Sequence, residues 1–487
     1  MRRHGIVPAG PLEVMLMPSP ATASPPAPAS LRRIVAASLI GTTIEWYDFF
    51  LYGSAAALVF NKLFFPDSDP LVGTLLSFLT YAVGFAARPI GALVFGHYGD
   101  RLGRKRLLVL SLLLMGGATF AIGLLPTHAT VGSAAPVLLT ALRLVQGFAL
   151  GGEWGGAVLL ASEHSDQAGG NRRGFWASWP QTGAPAGQLL ATGVLSALTA
   201  LLSDAAFESW GWRVPFLLSG VLVLVGMWIR LSVDESPVFK EALARAESRK
   251  QEAEQPPIVA VLRHHWRDVL VAMGARMAEN ISYYVITAFV LVYATEQADL
   301  GKQTALNAVL IGSAVHFAVI PAWGALSDRL GRRPVYLLGA AGVGAWAFPF
   351  FALIDTREFG WVIVAVTVGL VFHGAMYAPQ AAFFSEMFAT RMRYSGASIG
   401  AQFASVAAGA PAPLIATALL ADYDSGTPIA LYVIVAALLT LVAVGVAKET
   451  RQRDLAAVEP TASATANASA SASASASAAH HPTTGRA

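Results

Sequence analysis

Glu45 and Asp48 stand three residues apart in the aromatic-rich run Gly41-Thr-Thr-Ile-Glu-Trp-Tyr-Asp-Phe-Phe-Leu-Tyr52. On a helix that spacing projects both carboxylates from one face, with Trp46, Tyr47 and Tyr52 around them. Two carboxylates so close in a low dielectric should not both stay ionised. One of them is therefore suited to taking up and releasing a proton near neutral pH. The alternative is a fixed ion pair with Arg143 or Arg276 that never titrates. Arg143 and Gln146 share one face of a later apolar run. A guanidinium keeps its charge and presents a planar fork to a carboxylate, so Arg143 can hold an anion, a proton-carrying carboxylate or a neighbouring helix. Glu153, further along, is a second proton site or a latch between helices. Arg276, Glu279 and Asn280 form a further polar group, with Tyr283 and Tyr284 one turn on. Arg276 there would set a positive wall opposite the acidic pair, with Glu279 either joining it or only partnering it.

Other polar residues in apolar runs carry weaker signals. Arg88, before Pro89, either serves the site or snorkels to the headgroups. His316 and His373 are ligands, proton relays or hydrogen-bonded packing residues. Tyr377 and Gln380 lie close to His373 in sequence, and Gln181 and Gln402 are candidate polar linings of a cavity.

Composition dictates what must position these residues. The 487-residue chain is 55% hydrophobic and 13% charged, against about 25% charged in soluble domains, and its mean hydropathy is +0.55. Too little charge is present to cover a water-exposed surface, which excludes a soluble enzyme. Cysteine is absent, so disulfides, thiol nucleophiles and Cys-based metal sites are excluded. The pair His480-His481 in a low-complexity tail is a chance occurrence, and no metal or cofactor is expected. A net charge of +3 gives no reason to expect nucleic acid.

Twelve apolar stretches are long enough to cross a bilayer, at 35–60, 72–96, 107–125, 135–160, 175–202, 212–231, 269–294, 305–326, 335–354, 360–384, 396–421 and 428–447. With both termini and the central loop on the cytoplasmic side, 26 Lys/Arg fall on that side, 4 on the other and 3 within spans. This asymmetry is a strong positive-inside signal. The expected organisation is a disordered Pro/Ala/Ser-rich lead at 1–30, a six-helix half at 31–231, a cytoplasmic loop at 232–267, a second six-helix half at 268–450 and a disordered Ala/Ser-rich tail at 451–487. Met15 or Met17 is an alternative start. The expected fold is an all-α membrane protein of twelve transmembrane helices in two pseudo-symmetric halves.

An internal repeat supports the two halves. Gly96-His-Tyr-Gly-Asp100-Arg101-Leu-Gly-Arg104-Lys105 matches Gly324-Ala-Leu-Ser-Asp328-Arg329-Leu-Gly-Arg332-Arg333. Ser162-Glu163 echoes Ser385-Glu386 more weakly. Two like halves facing each other suit alternating access around a site near the midplane. Asp100 is placed to meet the positive N-terminal end of the eleventh span, near Ser395-Gly396, and Asp328 that of the fifth, near Gly174. Gly183, Pro185 and Gly187 in the fifth span, and Gly409, Pro411 and Pro413 in the eleventh, mark corresponding breaks.

The duplicated loop, of form G-x-x-x-D-R-x-G-R-[KR], resembles the signature loop of the major facilitator superfamily. Arg143-Leu-Val-Gln146-Gly147 resembles that superfamily's R-x-x-Q-G motif. The Gly41–Tyr52 run, Arg88-Pro89-Ile-Gly91, Gly151-Gly-Glu153-Trp154 and Glu235-Ser-Pro237-Val-Phe239 together resemble the metabolite:proton symporter family over about 34–450. Members carry shikimate, 2-oxoglutarate, citrate and other carboxylates, or proline and betaine. The resemblance implies that Asp100, Arg101 and Arg104, with Asp328, Arg329 and Arg332, hold the cytoplasmic side closed and release it during transport. It also implies a monomer. The Ala/Ser tail lacks the charged coiled-coil extension of an osmosensing proline/betaine member, which favours small organic anions.

The reading is thus a bacterial inner-membrane symporter whose partners are a small organic anion, a proton and the lipid bilayer. Glu45, Asp48 and Glu153 are the proton-coupling candidates. Arg143, Arg276, Tyr47, Gln146, Glu279, Asn280, Tyr283, His373, Tyr377 and Gln181 are the substrate-binding candidates. A proton-independent facilitator, an exchanger and a zwitterion symporter remain open on the same fold. No H-E-x-x-H, G-x-S-x-G or Walker-A pattern supports an enzyme or an ATP-driven pump.

Overall fold

The computed structural model describes residues 31–102, 104–151, 172–232, 266–387 and 402–451. Helices account for nearly all of them, and no strand occurs among the described residues. In a bilayer every backbone N–H and C=O needs an internal partner, which helices supply within one segment.

Twelve long helical segments follow the apolar stretches. They are α1 (31–64), α2 (Pro70–Leu102), α3 (Arg104–Leu124), α4 (Ala134–Leu150), α5 (Arg173–Leu201), α6 (Arg213–Ser232), α7 (Trp266–Gln297), α8 (Lys302–Leu330), α9 (Arg332–Asp355), α10 (Phe359–Met387), α11 (Gln402–Tyr423) and α12 (Thr427–Val446). Among the described residues, eight of these are long and apolar enough to cross a membrane by length and composition. Val109–Leu124 and Ala134–Leu150 are shorter apolar stretches. Several helices outrun the apolar stretches: α2 continues to Leu102 and α8 to Leu330, into the duplicated loops. Helical hydrogen bonding continues past the apolar limit because it satisfies the backbone in water as well as in lipid.

The pairings repeat between the halves. α2 packs on α4 as α8 does on α10, α3 packs on α6 as α9 does on α12, and α3 meets α4 as α9 meets α10. The halves meet where α5 packs on α8 and α10, and where α2 packs on α11. The expected breaks also correspond. α5 is interrupted at Thr182, and α11 contains a π-helical turn at Ser405–Gly409. α1 and α7 carry π-helical turns at Ala56–Phe60 and Val285–Phe289, just beyond their polar residues. Such turns interrupt the regular ladder and often accompany functional positions.

Glycine sets the closest approach in the first half. A Cβ on Gly147 of α4 would overlap the Gly84 carbonyl oxygen of α2. The two helices therefore cross at backbone contact, with Arg143 one turn away. Gly117 has no atom within 4 Å of such a Cβ. Gly147→Val should lower the thermal midpoint of the detergent-solubilised protein, through an overpacking cost of about 1–3 kcal/mol. Gly117→Val should shift it far less, and equal shifts would overturn this account of the α2–α4 crossing.

Candidate functional site

Buried ionisable groups gather in the two central helices, α1 and α7, and in the helices packed on them. In the first half, Glu45, Asp48, Arg88, Arg143 and Gln146 line one slot with Phe49 and Gly84. The slot is narrow, about 10 Å³, room for roughly one water. Asp48 is 2% exposed. Neither of its oxygens receives a hydrogen bond. The neighbouring Thr119 hydroxyl donates its one hydrogen to the Met115 carbonyl at 3.0 Å and accepts from Gln146 Nε2 at 2.6 Å. No ion pair within 4 Å involves Asp48, so the fixed pair with Arg143 or Arg276 is absent. A buried, undonated carboxylate is expensive to keep ionised. Glu45 lines the same slot and is partly exposed.

Arg143 is held on several sides. Its Nη1 donates to Gln146 Oε1 at 2.8 Å and its Nη2 to the Tyr81 carbonyl at 3.4 Å. Its guanidinium carbon lies 4.0 Å from the Tyr52 ring centroid and 4.9 Å from that of Tyr81. The R-x-x-Q-G spacing thus forms a unit: Gln146 orients Arg143 and is itself fixed on Thr119, while Gly147 lets α2 close over both. Arg88 is 6% exposed, buried within the bundle. Its guanidinium carbon sits 4.0 Å from the Phe85 ring centroid and 4.7 Å from that of Phe49.

The second half surrounds its carboxylate with partners. Glu279 Oε2 lies 3.4 Å from Arg276 Nε, and accepts from Asn280 Nδ2 at 3.0 Å and Gln380 Nε2 at 3.2 Å. Glu279 Oε1 lies 3.6 Å from His373 Nε2. His373 Nδ1 and His316 Nε2 share a hydrogen bond at 3.0 Å. Tyr283 stacks at an angle on His373, with ring centroids 4.7 Å apart. Gln380 also donates to Tyr336, whose hydroxyl donates to the Ala275 carbonyl. Arg276 is thus engaged with Glu279 on its own helix and does not line the slot by α1.

An aromatic layer joins the two groups. Phe50 meets Tyr283 and Phe49 meets Tyr284, with centroids 5.3 and 5.9 Å apart. Gln181 of α5 donates across the halves to the Tyr377 carbonyl at 3.3 Å. Tyr47 points elsewhere: its hydroxyl donates to the Pro215 carbonyl of α6 at 2.7 Å. The sequence placed Tyr52 beside the acidic pair but left Gln380, Tyr81 and Thr119 out of the site. Only Gln380 had a signal, its spacing from His373; the others sit among unremarkable apolar residues.

At one end of the bundle a second cluster spans the halves. Asp328 Oδ1 accepts from the Gly174 amide at 2.7 Å and Oδ2 from the Phe175 amide at 2.8 Å. Those are orphan donors of the first turn of α5, at the place the repeat implied. Arg332, 1% exposed, binds Asp328 at 2.8 Å and Glu386 at 3.3 Å. Arg173 of α5 reaches the same Glu386 at 2.9 Å. Glu386 was legible only as a weak echo of Glu163. The Arg329 side chain is exposed. At the other end α5 and α8 are joined by Ser196–Asn307 and Thr199–Gln303, both at 2.7 Å. Glu153 lies outside the described residues, as do the side chains of Asp100, Arg101 and Arg104.

Beyond α12, Glu449 caps α9, accepting from the Arg332 and Arg333 amides at 2.9 and 3.0 Å. Partial burial pushes its carboxyl upward, but the amides of Arg332, Arg333, Arg451 and Thr450 outweigh this and hold it below the ordinary range.

A membrane bundle of paired six-helix sets, closed around buried charges and joined by end clusters, defines a secondary transporter of the major facilitator superfamily rather than an enzyme. The chain belongs to the sugar (and other) transporter family, whose sequence pattern matches residues 34–461. It is 40% identical over 424 residues to the shikimate transporter of Escherichia coli K12, covering 86% of this chain and 95% of that protein. Identity to the inner membrane metabolite transport protein YhjE of the same strain is 41% over 431 residues, 88% of this chain and 96% of that one. Identity to the proline/betaine transporter of Salmonella typhimurium LT2 is 33% over 440 residues, 89% and 86% respectively. The solved structure of the proton:xylose symporter XylE with 6-bromo-6-deoxy-D-glucose superposes with a TM-score of 0.68, over 87% of this chain and 97% of that one. At 16% identity that likeness bears on the fold alone.

Two outcomes follow. Asp328→Ala removes two charge-assisted bonds to the α5 amides, so hydrogen exchange at Gly174 and Phe175 should quicken by about tenfold or more; unchanged protection would remove Asp328 from that role. Glu449 has a lowered folded value, so its contribution is present above the ordinary carboxylate range and fades as pH falls through the lowered one. Glu449→Gln should flatten the acid side of a melting-temperature profile by a small amount, under about 1 kcal/mol for so exposed a group.

Proposed function

We propose that this protein imports a small organic anion together with a proton, by alternating access between halves 31–231 and 268–450. The observation that carries the reading is the contrast between the two central carboxylates. Asp48 is buried without a donor, whereas Glu279 is engaged by Arg276, Asn280, Gln380 and His373. A carboxylate in the first state gains from binding a proton, and one in the second gains little. Asp48 is therefore the proton carrier, with Glu45 beside it in the slot.

The anion binds between the halves, among the Arg143 side, Tyr283, His373 and the Arg276–Glu279 pair. Loading both ligands lowers the cost of charge in the closed state, so the bundle rocks most readily when both are bound. The Asp328–Arg332–Glu386 cluster, with Asp100, Arg101 and Arg104 as its counterpart, closes the cytoplasmic side. The positive-inside charge asymmetry supports both termini on that side, and the identity to an inner membrane transport protein supports a bacterial inner membrane. The shikimate transporter among the relatives supports a shikimate-like acid or a di- or tricarboxylate as cargo. The proline/betaine relative supports a second reading, a zwitterion held by the aromatic layer.

The test is uptake into proteoliposomes under an imposed inward proton gradient, with shikimate, 2-oxoglutarate, citrate and betaine as probes. Gradient-driven accumulation of an acid, and none of betaine, is expected. Uptake that ignores the gradient for every probe would leave a facilitator. Asp48→Asn should abolish accumulation above the outside concentration while preserving exchange; full accumulation in that variant would move the proton site elsewhere.

A further inference from the structure

Three arginines, Arg88, Arg143 and Arg276, lie well inside the apolar spans rather than at their ends, and their surroundings differ. Arg276 has the Glu279 carboxylate 3.4 Å away. Arg143 is anchored by Gln146 and the Tyr81 carbonyl, with Tyr52 covering one face. Arg88 has neither an ion pair within 4 Å nor a hydrogen bond, and its Nε and Nη2 are buried without acceptors. It is 6% exposed, fixed between the Phe85 and Phe49 rings, and it lines the slot shared with Asp48 and Arg143.

Ring faces attract the guanidinium charge but accept no in-plane hydrogen bonds. Its N–H edge therefore remains unanswered in a place where membrane proteins ordinarily pair a charge. Arginine's planar edge matches a carboxylate with two parallel bonds. Among the residues lining this slot, the open donors belong to Arg88 and to a single Arg143 nitrogen, Nε. That is enough for one carboxylate and too few for two or three.

We propose that Arg88 grips the carboxylate of the transported anion, and that this anion is a monocarboxylate rather than a di- or tricarboxylate. Arg143 then acts as a positioning residue that shapes the slot. The remaining polar groups of such a substrate, hydroxyls above all, face Asp48, which in its protonated state can donate as well as accept. This rests on the anion reading above and narrows its cargo.

The test is binding of shikimate, its neutral methyl ester, 2-oxoglutarate and citrate to the purified full-length protein, by calorimetry. The wild type should prefer shikimate to the ester, and to citrate, by about tenfold or more. Arg88→Gln should lose that acid-over-ester preference, and Arg88→Lys should regain part of it. Should the variants misfold, phenylglyoxal labelling of the wild type, resolved by peptide mass spectrometry, decides: shikimate should protect Arg88. An unchanged preference in Arg88→Gln, or labelling of Arg88 that ignores saturating shikimate, overturns the assignment. Citrate or 2-oxoglutarate binding more tightly than shikimate overturns the monocarboxylate. A wild type that binds none of the acids overturns the anion reading itself.

Discussion

Charge inside a bilayer must be answered, and that constraint organises this protein. An ionised side chain at mid-membrane costs about 2.5–3.5 kcal/mol on insertion scales, so each one needs a compensating partner. The bundle supplies different answers at different depths. Arg276 has a carboxylate, Arg143 an amide, a carbonyl and tyrosine rings, and Arg88 two phenylalanine rings. Asp48 has none of these. The unequal treatment of like groups separates scaffold from working parts: where the protein completes an interaction the group is fixed, and where it stops short a ligand or proton can complete it.

The repeat duplicates the scaffold while the chemistry diverges. Helix pairings recur in both halves, as do the π-helical turns of α1 and α7. Yet α1 places an unanswered carboxylate at its centre, and α7 places an answered one. Two identical halves would bind the same thing twice. Two halves with one frame and unlike interiors can hold different groups.

α5 ties the interior to the end of the bundle. Its N-terminal amides are held by Asp328 and its Arg173 by Glu386, while Gln181, two turns on, touches the Tyr377 carbonyl beside the histidines. The helix is interrupted at Thr182, close to that contact. The half beyond the break makes its own contacts, where Ser196 and Thr199 join α8.

Much of the architecture was legible from local signals. Twelve apolar runs, the asymmetry of Lys/Arg and the duplicated Asp-Arg loop define the helices and their grouping, because hydropathy and charge act on each segment separately. Asp328 against Gly174 was legible too, since the repeat fixes which helix end each loop faces. Element ends were less so, as α2 and α8 run on into their loops. What the tertiary structure alone decided is which buried groups find partners. Tyr47 looked like part of the site and turns to α6; Glu279 could have joined the site or only partnered Arg276, and it lies against that arginine; Gln380 donates to the same carboxylate from α10; and Arg88, which could have served the site or snorkelled, is buried between rings. Spacing along a helix tells which face a side chain occupies, whereas its partner comes from another helix that only packing brings near.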